Sequence, residues 1–314
     1  MRSSLLPQLL VGGLLMSSVA ACGSDDDAAR GGASRTPGSS VSSGPPTGSG
    51  GTGSSGDTAG SGAGGKGRPA GKPVKAGRAK YTGFSSPTGL AYGRDGSVFV
   101  SNWSAGTVER ITRDGKRSVY AAGLEAPAGL AVDGQGALYI ADYDADVVYR
   151  ATAAGKKERF ASGFHTPTGI SFDSRQNLLV TNRATDELMS VSPDGKSSKV
   201  ADGLRTPVGV VETADGTIYV SNYEGGVLSR VKRDGTVETH SDDFDGLGVG
   251  IVADKAGSVY VTDRAAGQIK RVETDGSVTS VMTGLSSPVA LGIDTEGHLA
   301  TATWGDSAFY DIPS

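Results

Sequence analysis

The chain contains very little cysteine and histidine. Cys22 is the only cysteine among 314 residues, so the chain cannot form a disulfide within itself. The only histidines are His165, His240 and His298, which limits any histidine-dependent chemistry to three side chains. The net charge is −4, which excludes the basic footprint of a nucleic-acid-binding protein.

Other common signatures are also missing from the sequence. No nucleophile-elbow motif accompanies the serines, so a serine hydrolase of that type is not indicated. The glycines fall in turn sequences and in the N-terminal segment, and they form no phosphate-binding loop. After the first 22 residues no segment is apolar enough to cross a membrane as a helix.

The first 73 residues have the composition of a targeting segment followed by a linker. Arg2 precedes a short apolar run that ends in small residues, so we interpret residues 1–21 as a signal peptide. The ending Val19-Ala20-Ala21-Cys22 resembles the bacterial lipobox, which implies lipid attachment at Cys22; the alternative is an ordinary small residue near a cleavage site. Residues 22–73, rich in Gly and Ser, are predicted to be a disordered tether. We therefore expect an extracytoplasmic protein of the cell envelope, held at the outer membrane or cell surface by lipid alone.

A motif recurs six times at intervals of 40 or 41 residues. Four copies begin with Pro-x-Gly and the last with Pro-x-Ala, while the fifth is predicted to have Gly248 at the proline position after a one-residue insertion. The prolines are Pro87, Pro127, Pro167, Pro207 and Pro288. Self-similarity at such a period is typical of solenoids and propellers, in which each repeat is one structural unit.

Each copy contains four short apolar runs separated by turn signals. In the first copy the runs are 88–92, 97–101, 107–111 and 117–121, and Asp-Gly pairs mark tight turns between them. Four strands in about 40 residues are typical of a propeller blade. We predict an all-β fold, a six-bladed β-propeller over residues 74–314. The sixth copy is too short for an outer strand, so segment 75–82 is predicted to supply it and close the ring.

The repeat resembles those of the NHL-repeat proteins over residues 74–314. The shared pattern is Pro-x-Gly-aliphatic, then Asp-Gly, then a strand such as Tyr219-Val220-Ser221-Asn222, then a second Asp-Gly turn. Because NHL-like propellers mostly serve as binding or scaffold modules, the resemblance implies a binding function. We expect a monomer whose ligand is an envelope protein, a glycan or a small molecule, with no cofactor and no nucleic acid.

One position varies between copies where the rest of the motif is constant. It follows the end of the second strand and is occupied by Trp103, Tyr143, Arg183, Tyr223, Arg264 and Trp304. Loops on a rigid scaffold are where recognition concentrates, and aromatic and arginine side chains make many of the contacts. We predict that these six residues, with His165 from a blade-to-blade crossover, bind the ligand. The alternative is that each ring only covers its own loop.

The residue just before this position is polar in every copy. The set is Asn102, Asp142, Asn182, Asn222, Asp263 and Thr303. One interpretation is a ring of metal ligands. A feature present in nearly every copy is better explained by what all copies share, so we predict that these side chains bond nearby backbone at the strand ends.

Two enzyme families with six-bladed architecture are also similar to this chain. Gluconolactonase-like and paraoxonase-like lactonases resemble it in fold, and streptogramin lyases resemble it more in their second strand. The lactonase resemblance implies a divalent cation on the axis, but the residues at the start of the inner strands are Thr88, Ala128, Thr168, Val208, Val249 and Val289. None of these residues is a ligand of the lactonase type, and hard cations need several oxygen ligands. We therefore expect a binding function and keep a metal-dependent lyase or lactone hydrolase as the alternative.

Overall fold

Glycines in the left-handed region divide each repeat into short strands. Gly96 and Gly115, with φ of 76° and 85°, lie in the two turns of the first repeat, where an L-residue would be strained. In the computed structural model, which describes residues 72–313, the six repeats form six antiparallel sheets around a common axis. The predicted six-bladed all-β propeller is confirmed. The predicted signal peptide, Cys22 and nearly all of the predicted tether lie outside the described residues.

The four strands of each blade occupy the same places in every repeat. The inner strands are β3 (Pro87–Tyr92), β7 (Pro127–Val132), β11 (Pro167–Phe172), β15 (Pro207–Glu212), β19 (Leu247–Ala253) and β23 (Pro288–Ile293). The second strands are β4 (Val98–Asn102), β8 (Leu138–Asp142), β12 (Leu178–Asn182), β16 (Ile218–Asn222), β20 (Val259–Asp263) and β24 (Leu299–Thr303).

The third and outer strands complete the blades. The third strands are β5 (Thr107–Ile111), β9 (Val147–Ala153), β13 (Glu187–Val191), β17 (Val227–Val231), β21 (Gln268–Val272) and β25 (Ala308–Ile312). The outer strands are β6 (Arg117–Ala121), β10 (Lys156–Ser162), β14 (Ser197–Ala201), β18 (Val237–Ser241), β22 (Val278–Thr283) and, for the sixth blade, β2 (Tyr81–Thr82). Three short 3₁₀ turns, Trp103–Ala105, Arg183–Thr185 and Glu224–Gly226, follow second strands.

The ring is closed by the start of the described chain. Strand β2 pairs antiparallel with β25, with Tyr81 opposite Phe309, so the predicted outer strand of the sixth blade is confirmed. It is shorter than predicted, because only residues 81–82 pair there. An additional strand, β1 (Val74–Lys75), pairs in parallel with β22 of the fifth blade. A two-residue parallel pairing has no counterpart in the other repeats, and the sequence pattern did not indicate it.

The one-residue insertion of the fifth repeat lies inside its inner strand. Leu247 pairs with Asp263, as Pro207 pairs with Asn222 in the fourth blade, and the register then shifts before Ile251 pairs with Val261. The prediction that Gly248 occupies the proline position was therefore wrong. A β-bulge absorbs the extra residue, because a bulge accommodates one residue without moving the strand ends.

The hydrophobic core lies between the blades. Each interblade layer is a separate cluster: Leu90 and Val100 of the first blade pack with Ala300 and Phe309 of the sixth, for example. At the Pro-x-Gly glycine the neighbouring inner strands are too close for a side chain, because a Cβ added at Gly89 would lie 2.2 Å from the carbonyl oxygen of Ala128. None of the helices in residues 72–313 is long and apolar enough to cross a membrane.

Candidate functional site

The polar residues at the ends of the second strands fix the crossovers between blades. The Oδ1 atom of Asn102 accepts a 2.8 Å hydrogen bond from the backbone N–H of Ser85. Asp142 accepts bonds of 3.0 and 2.7 Å from the backbone N–H groups of Glu125 and Ala126. Equivalent bonds join Asn182 to His165, Asn222 to Arg205, and Asp263 to Asp245 and Gly246. These contacts agree with the strand-end interpretation of the polar residues, since the side chains are buried and bound to backbone.

The loops after these residues carry the predicted binding residues on one face, which we call the crossover face. Trp103 and Tyr143 are in contact, with ring centroids 4.8 Å apart. The guanidinium of Arg183 donates a 2.7 Å hydrogen bond to the Tyr143 hydroxyl, and it lies 5.9 Å from that ring and 5.7 Å from the ring of Tyr223. Arg264 lies 5.5 Å from the Tyr223 ring and donates a 3.1 Å hydrogen bond to its hydroxyl.

These five residues therefore form a continuous chain of contacts across five blades, which we call the aromatic–arginine band. The cation–π contacts hold each arginine over a tyrosine face, and each hydroxyl accepts only one of the five N–H donors of a guanidinium. Donors remain free to bind an acceptor outside the protein. Tyr223 is 40% exposed, and the other four members are half-buried.

The remaining two predicted residues are placed differently. Trp304 belongs to the blade next to that of Trp103, whose ring packs on Tyr143. The indole N–H of Trp304 is buried without a hydrogen-bond partner among the described residues. His165 is exposed on the crossover, with its backbone N–H bound at 2.6 Å by Asn182.

Carboxylates also lie on the crossover face. Burial, and then the negative charges of Asp142 and Asp146, raise the pKa of Asp144 above its usual range. The positively charged band is thus bordered by acidic groups beside Tyr143, which gives the face both signs of charge.

The axial residues do not fit the divalent cation that the fold family implies. Four of the six inner-strand residues on the crossover side are Ala or Val, and the hydroxyls of Thr88 and Thr168 each donate a 3.0 Å bond to the carbonyl oxygen two residues earlier. Within residues 72–313 no three His, Cys, Asp or Glu side chains are grouped so that they could hold a metal ion. We therefore derive no metal-dependent step for this site.

The opposite face carries the Asp-Gly turns, and we call it the turn face. It contains a feature that the repeat motif does not predict. A cleft of about 890 Å³ opens between the first and sixth blades. A smaller cavity of about 350 Å³ runs along the axis between the inner strands. Beside the cleft, Ala300 occupies the position that is Phe or Tyr in four of the other repeats.

The fold defines a six-bladed β-propeller. A family model described as the Virginiamycin B lyase family matches residues 79–312, and the chain belongs to this family. This agrees with the resemblance to streptogramin lyases. A comparison with proteins of curated function finds no match by sequence.

Three solved structures show the same fold. A catalytically inactive histidine-to-alanine variant of virginiamycin B lyase from Staphylococcus aureus, solved with Quinupristin, is 17% identical over 73% of this chain and 84% of its own, with a TM-score of 0.57. A gluconolactonase from Xanthomonas campestris is 18% identical over 75% and 88%, with a TM-score of 0.69. A calcium-binding regucalcin from Agrobacterium tumefaciens is 16% identical over 77% and 95%, with a TM-score of 0.66. At these identities the likeness concerns the fold alone.

Proposed function

We propose that this protein is a binding module of the cell envelope that captures a protein partner through the crossover face, and that a lipid on Cys22 anchors it. The observation that carries the proposal is the aromatic–arginine band. Its five side chains are held by one another, so they lose little conformational entropy when a partner binds. Tyr, Trp and Arg are the residue types that dominate binding energy at protein interfaces.

The chemistry of the band favours a partner that presents carboxylates beside apolar groups. Arg183 is packed between two tyrosine rings, so its planar guanidinium can pair with a carboxylate in a two-point geometry. The rings of Trp103 and Tyr143 offer an apolar surface next to it. A protein surface supplies both features together, so we propose a protein partner. A glycan or a small molecule is the alternative ligand, which the absence of a protein adduct in a crosslinking experiment would indicate.

The proposal is tested by photo-crosslinking in the envelope. A photoreactive phenylalanine analogue replaces the exposed Tyr223 in the full chain, and a second version carries it at the exposed Val119 on the outer strand of the first blade. A covalent protein adduct is expected from position 223 alone, and Arg183→Ala should reduce it at least tenfold. Arg159→Ala, an exposed arginine on strand β10, is the matched control and should leave the adduct unchanged. Equal adducts from both positions reject the crossover face as the interface. No protein adduct from position 223 rejects a protein partner in favour of a glycan or a small molecule.

The second candidate is an elimination reaction of the streptogramin lyase type, which family membership favours. The related enzyme from Staphylococcus aureus is inactive when a histidine is replaced by alanine. Among the three histidines only His165 lies on the crossover face. His240 lies in the outer strand β18 and packs on Tyr219 of the second strand β16, and His298 follows a turn of the turn face. Any acid–base role on the crossover face would therefore fall to His165.

A direct assay separates the two candidates. The full chain is incubated with quinupristin with and without added divalent cations, and the products are separated by liquid chromatography. We expect no conversion, and no change in melting temperature on adding a chelator. Conversion that is lost in His165→Ala would establish the lyase activity instead and displace the binding proposal.

A further inference from the structure

Four of the six blades share an aromatic–arginine pair on the side facing the next blade. The pair occupies opposite positions on the second and third strands: Phe99 with Arg110, Tyr139 with Arg150, Tyr219 with Arg230 and Tyr260 with Arg271. In three of these blades the aromatic residue also packs edge-to-face on the outer strand, as Phe99 does on Tyr120 at 4.8 Å. These rings fill the space between the blades near the turn face.

The pair is absent from the third and sixth blades. Leu179 faces Ser190 in the third blade, and Ala300 faces Asp311 in the sixth. In the sixth blade the outer-strand residue that corresponds to Tyr120 is Lys80. This blade therefore lacks both the ring of the second strand and the ring of the outer strand. A cleft of about 540 Å³ lies beside Leu179, and the cleft of about 890 Å³ lies beside Asp311. The cleft volumes follow the side chains lost, because removal of a ring leaves space that rigid blades do not close.

The larger cleft has an apolar floor and a charge-balanced wall. Tyr81, Tyr92 and Phe309 contribute aromatic surface. The wall carries three Lys or Arg side chains and four carboxylates, and part of it is internally paired: Lys80 with Asp311 at 2.7 Å and His298 with Asp294 at 3.0 Å. Such a wall offers both donors and acceptors, and its three cationic and four anionic side chains nearly cancel, so it gives a charged ligand little advantage over a neutral one.

The Tyr92 hydroxyl adds a proton donor to this wall. Burial, and then the negative charges of Asp311 and Asp294, raise the pKa of Tyr92 well above its usual range, so the phenol keeps its proton at any physiological pH. Arg94 and Arg113, at the mouth of the cleft, are exposed and have no ion-pair partner among residues 72–313. Hydroxyl groups of a ligand could therefore donate to carboxylates inside and accept from guanidiniums at the rim.

We propose that this seam cleft, bounded by Lys80, Tyr81, Tyr92 and Asp311, binds an uncharged saccharide of one or two rings. A sugar ring combines hydroxyls that both donate and accept with an apolar face of C–H groups that packs on an aromatic ring. The volume lies within the range of roughly 300–1,000 Å³ typical of small-molecule sites. The proposal concerns the turn face and does not depend on the function proposed for the crossover face.

The test uses saturation-transfer NMR and calorimetry on the full chain with maltose, cellobiose and N,N′-diacetylchitobiose. At least one of these sugars is expected to bind with a dissociation constant in the millimolar range or tighter. The double variant Ala300→Phe, Lys80→Tyr introduces the pair of rings that the second and outer strands of three other blades carry. It should abolish binding while leaving the melting temperature equal or higher. If the double variant fails to fold, Asp311→Asn provides the second test and should weaken binding at least tenfold.

The matched control is Leu179→Phe with Ser190→Arg, which fills the cleft of the third blade and should leave sugar binding unchanged. The proposal is overturned if no sugar of the panel binds the unmodified chain. It is also overturned if binding survives when the seam cleft is filled and in Asp311→Asn. Binding of glucuronate or glucosamine in preference to the neutral sugars would overturn the class of ligand.

Discussion

The hydroxyl of Ser101 donates a 2.7 Å hydrogen bond to the carbonyl oxygen of Ala128 and thereby joins the first blade to the second beside the axis. The same hydroxyl accepts a 2.7 Å bond from the backbone N–H of Gly89. Ser221 and Thr262 make the corresponding interblade contacts, to the carbonyl oxygens of Gly248 and Val289. The blades are therefore linked by buried hydroxyls as well as by apolar packing.

Ser101→Ala is expected to lower the free energy of unfolding by about 1–3 kcal/mol, because it leaves buried backbone groups without their partner. Denaturant unfolding monitored by tryptophan fluorescence measures this change. Ser118→Ala, at an exposed serine on strand β6, is the matched control and should change the value by less than about 0.5 kcal/mol. Equal effects of the two substitutions would show that the interblade bond contributes nothing to stability.

Closure by strand β2 makes a prediction about Tyr81. Its ring packs edge-to-face on the buried Phe309 with centroids 5.7 Å apart, across the only pairing that completes the sixth blade in residues 72–313. Tyr81→Ala should lower the free energy of unfolding by about 2–3 kcal/mol, somewhat less than for a fully buried ring. Val119→Ala, at a 57% exposed residue of an outer strand, should cost far less. A melting temperature for Tyr81→Ala no lower than that of Val119→Ala contradicts the role given to closure.

The repeated part of the fold could be predicted from the sequence, because each of six copies of one pattern predicts the same four-stranded blade. Pro87 and Gly89 mark an inner strand near the axis, and the shortened sixth repeat indicates where the ring closes. Departures from the repeat were harder to place. The bulge after Leu247 and the parallel pairing of Val74 depend on local register, and a single unmatched residue or pair leaves no pattern in the sequence.

The candidate sites show the same division. The sequence located the variable loop residues, but their contacts depend on side-chain direction: Trp103 packs on Tyr143 and not on Trp304. The seam cleft went unpredicted although its signal was present. Ala300 occupies a position that is Phe or Tyr in four repeats. A missing ring can be recognised as a cavity only when the packing of the neighbouring blade is known.

A third prediction concerns the strand-end carboxylate of Asp142, which binds two backbone N–H groups. Asp142→Ala should cost about 3 kcal/mol, because the buried N–H of Ala126 and the part-buried N–H of Glu125 both lose their acceptor. Asp142→Asn should cost about 1 kcal/mol, since the amide keeps one acceptor, as Asn102 does with Ser85. Chemical denaturation of the three proteins measures the order. Equal stability of the alanine and asparagine variants would contradict the strand-end role and reopen the metal interpretation.

The last prediction follows from the His298–Asp294 pair in the seam cleft. The hydrogen bond to Asp294, and then its negative charge, raise the pKa of His298 above its ordinary value. Burial alone would raise the pKa of Asp294, but hydrogen bonds from the backbone and side chain of His298 lower it. A raised histidine pKa means that protonated His298 stabilises the folded state. That contribution is complete below the ordinary value of about 6.5 and is lost as the pH rises through the folded pKa.

The carboxylate has the opposite dependence. The contribution of Asp294 is present above its ordinary pKa and is lost as the pH falls through its lowered folded pKa. The pair therefore stabilises the fold most between the ordinary pKa of Asp294, about 3.8, and that of His298, about 6.5. NMR titration of the imidazole should show the pKa of His298 falling toward its ordinary value in Asp294→Asn. Glu296→Gln removes a carboxylate 3.7 Å from the ring nitrogen whose effect is smaller, so it should lower the pKa of His298 less. In unfolding measurements His298→Gln should destabilise the chain more at acidic than at alkaline pH, and the reverse order would contradict the pairing.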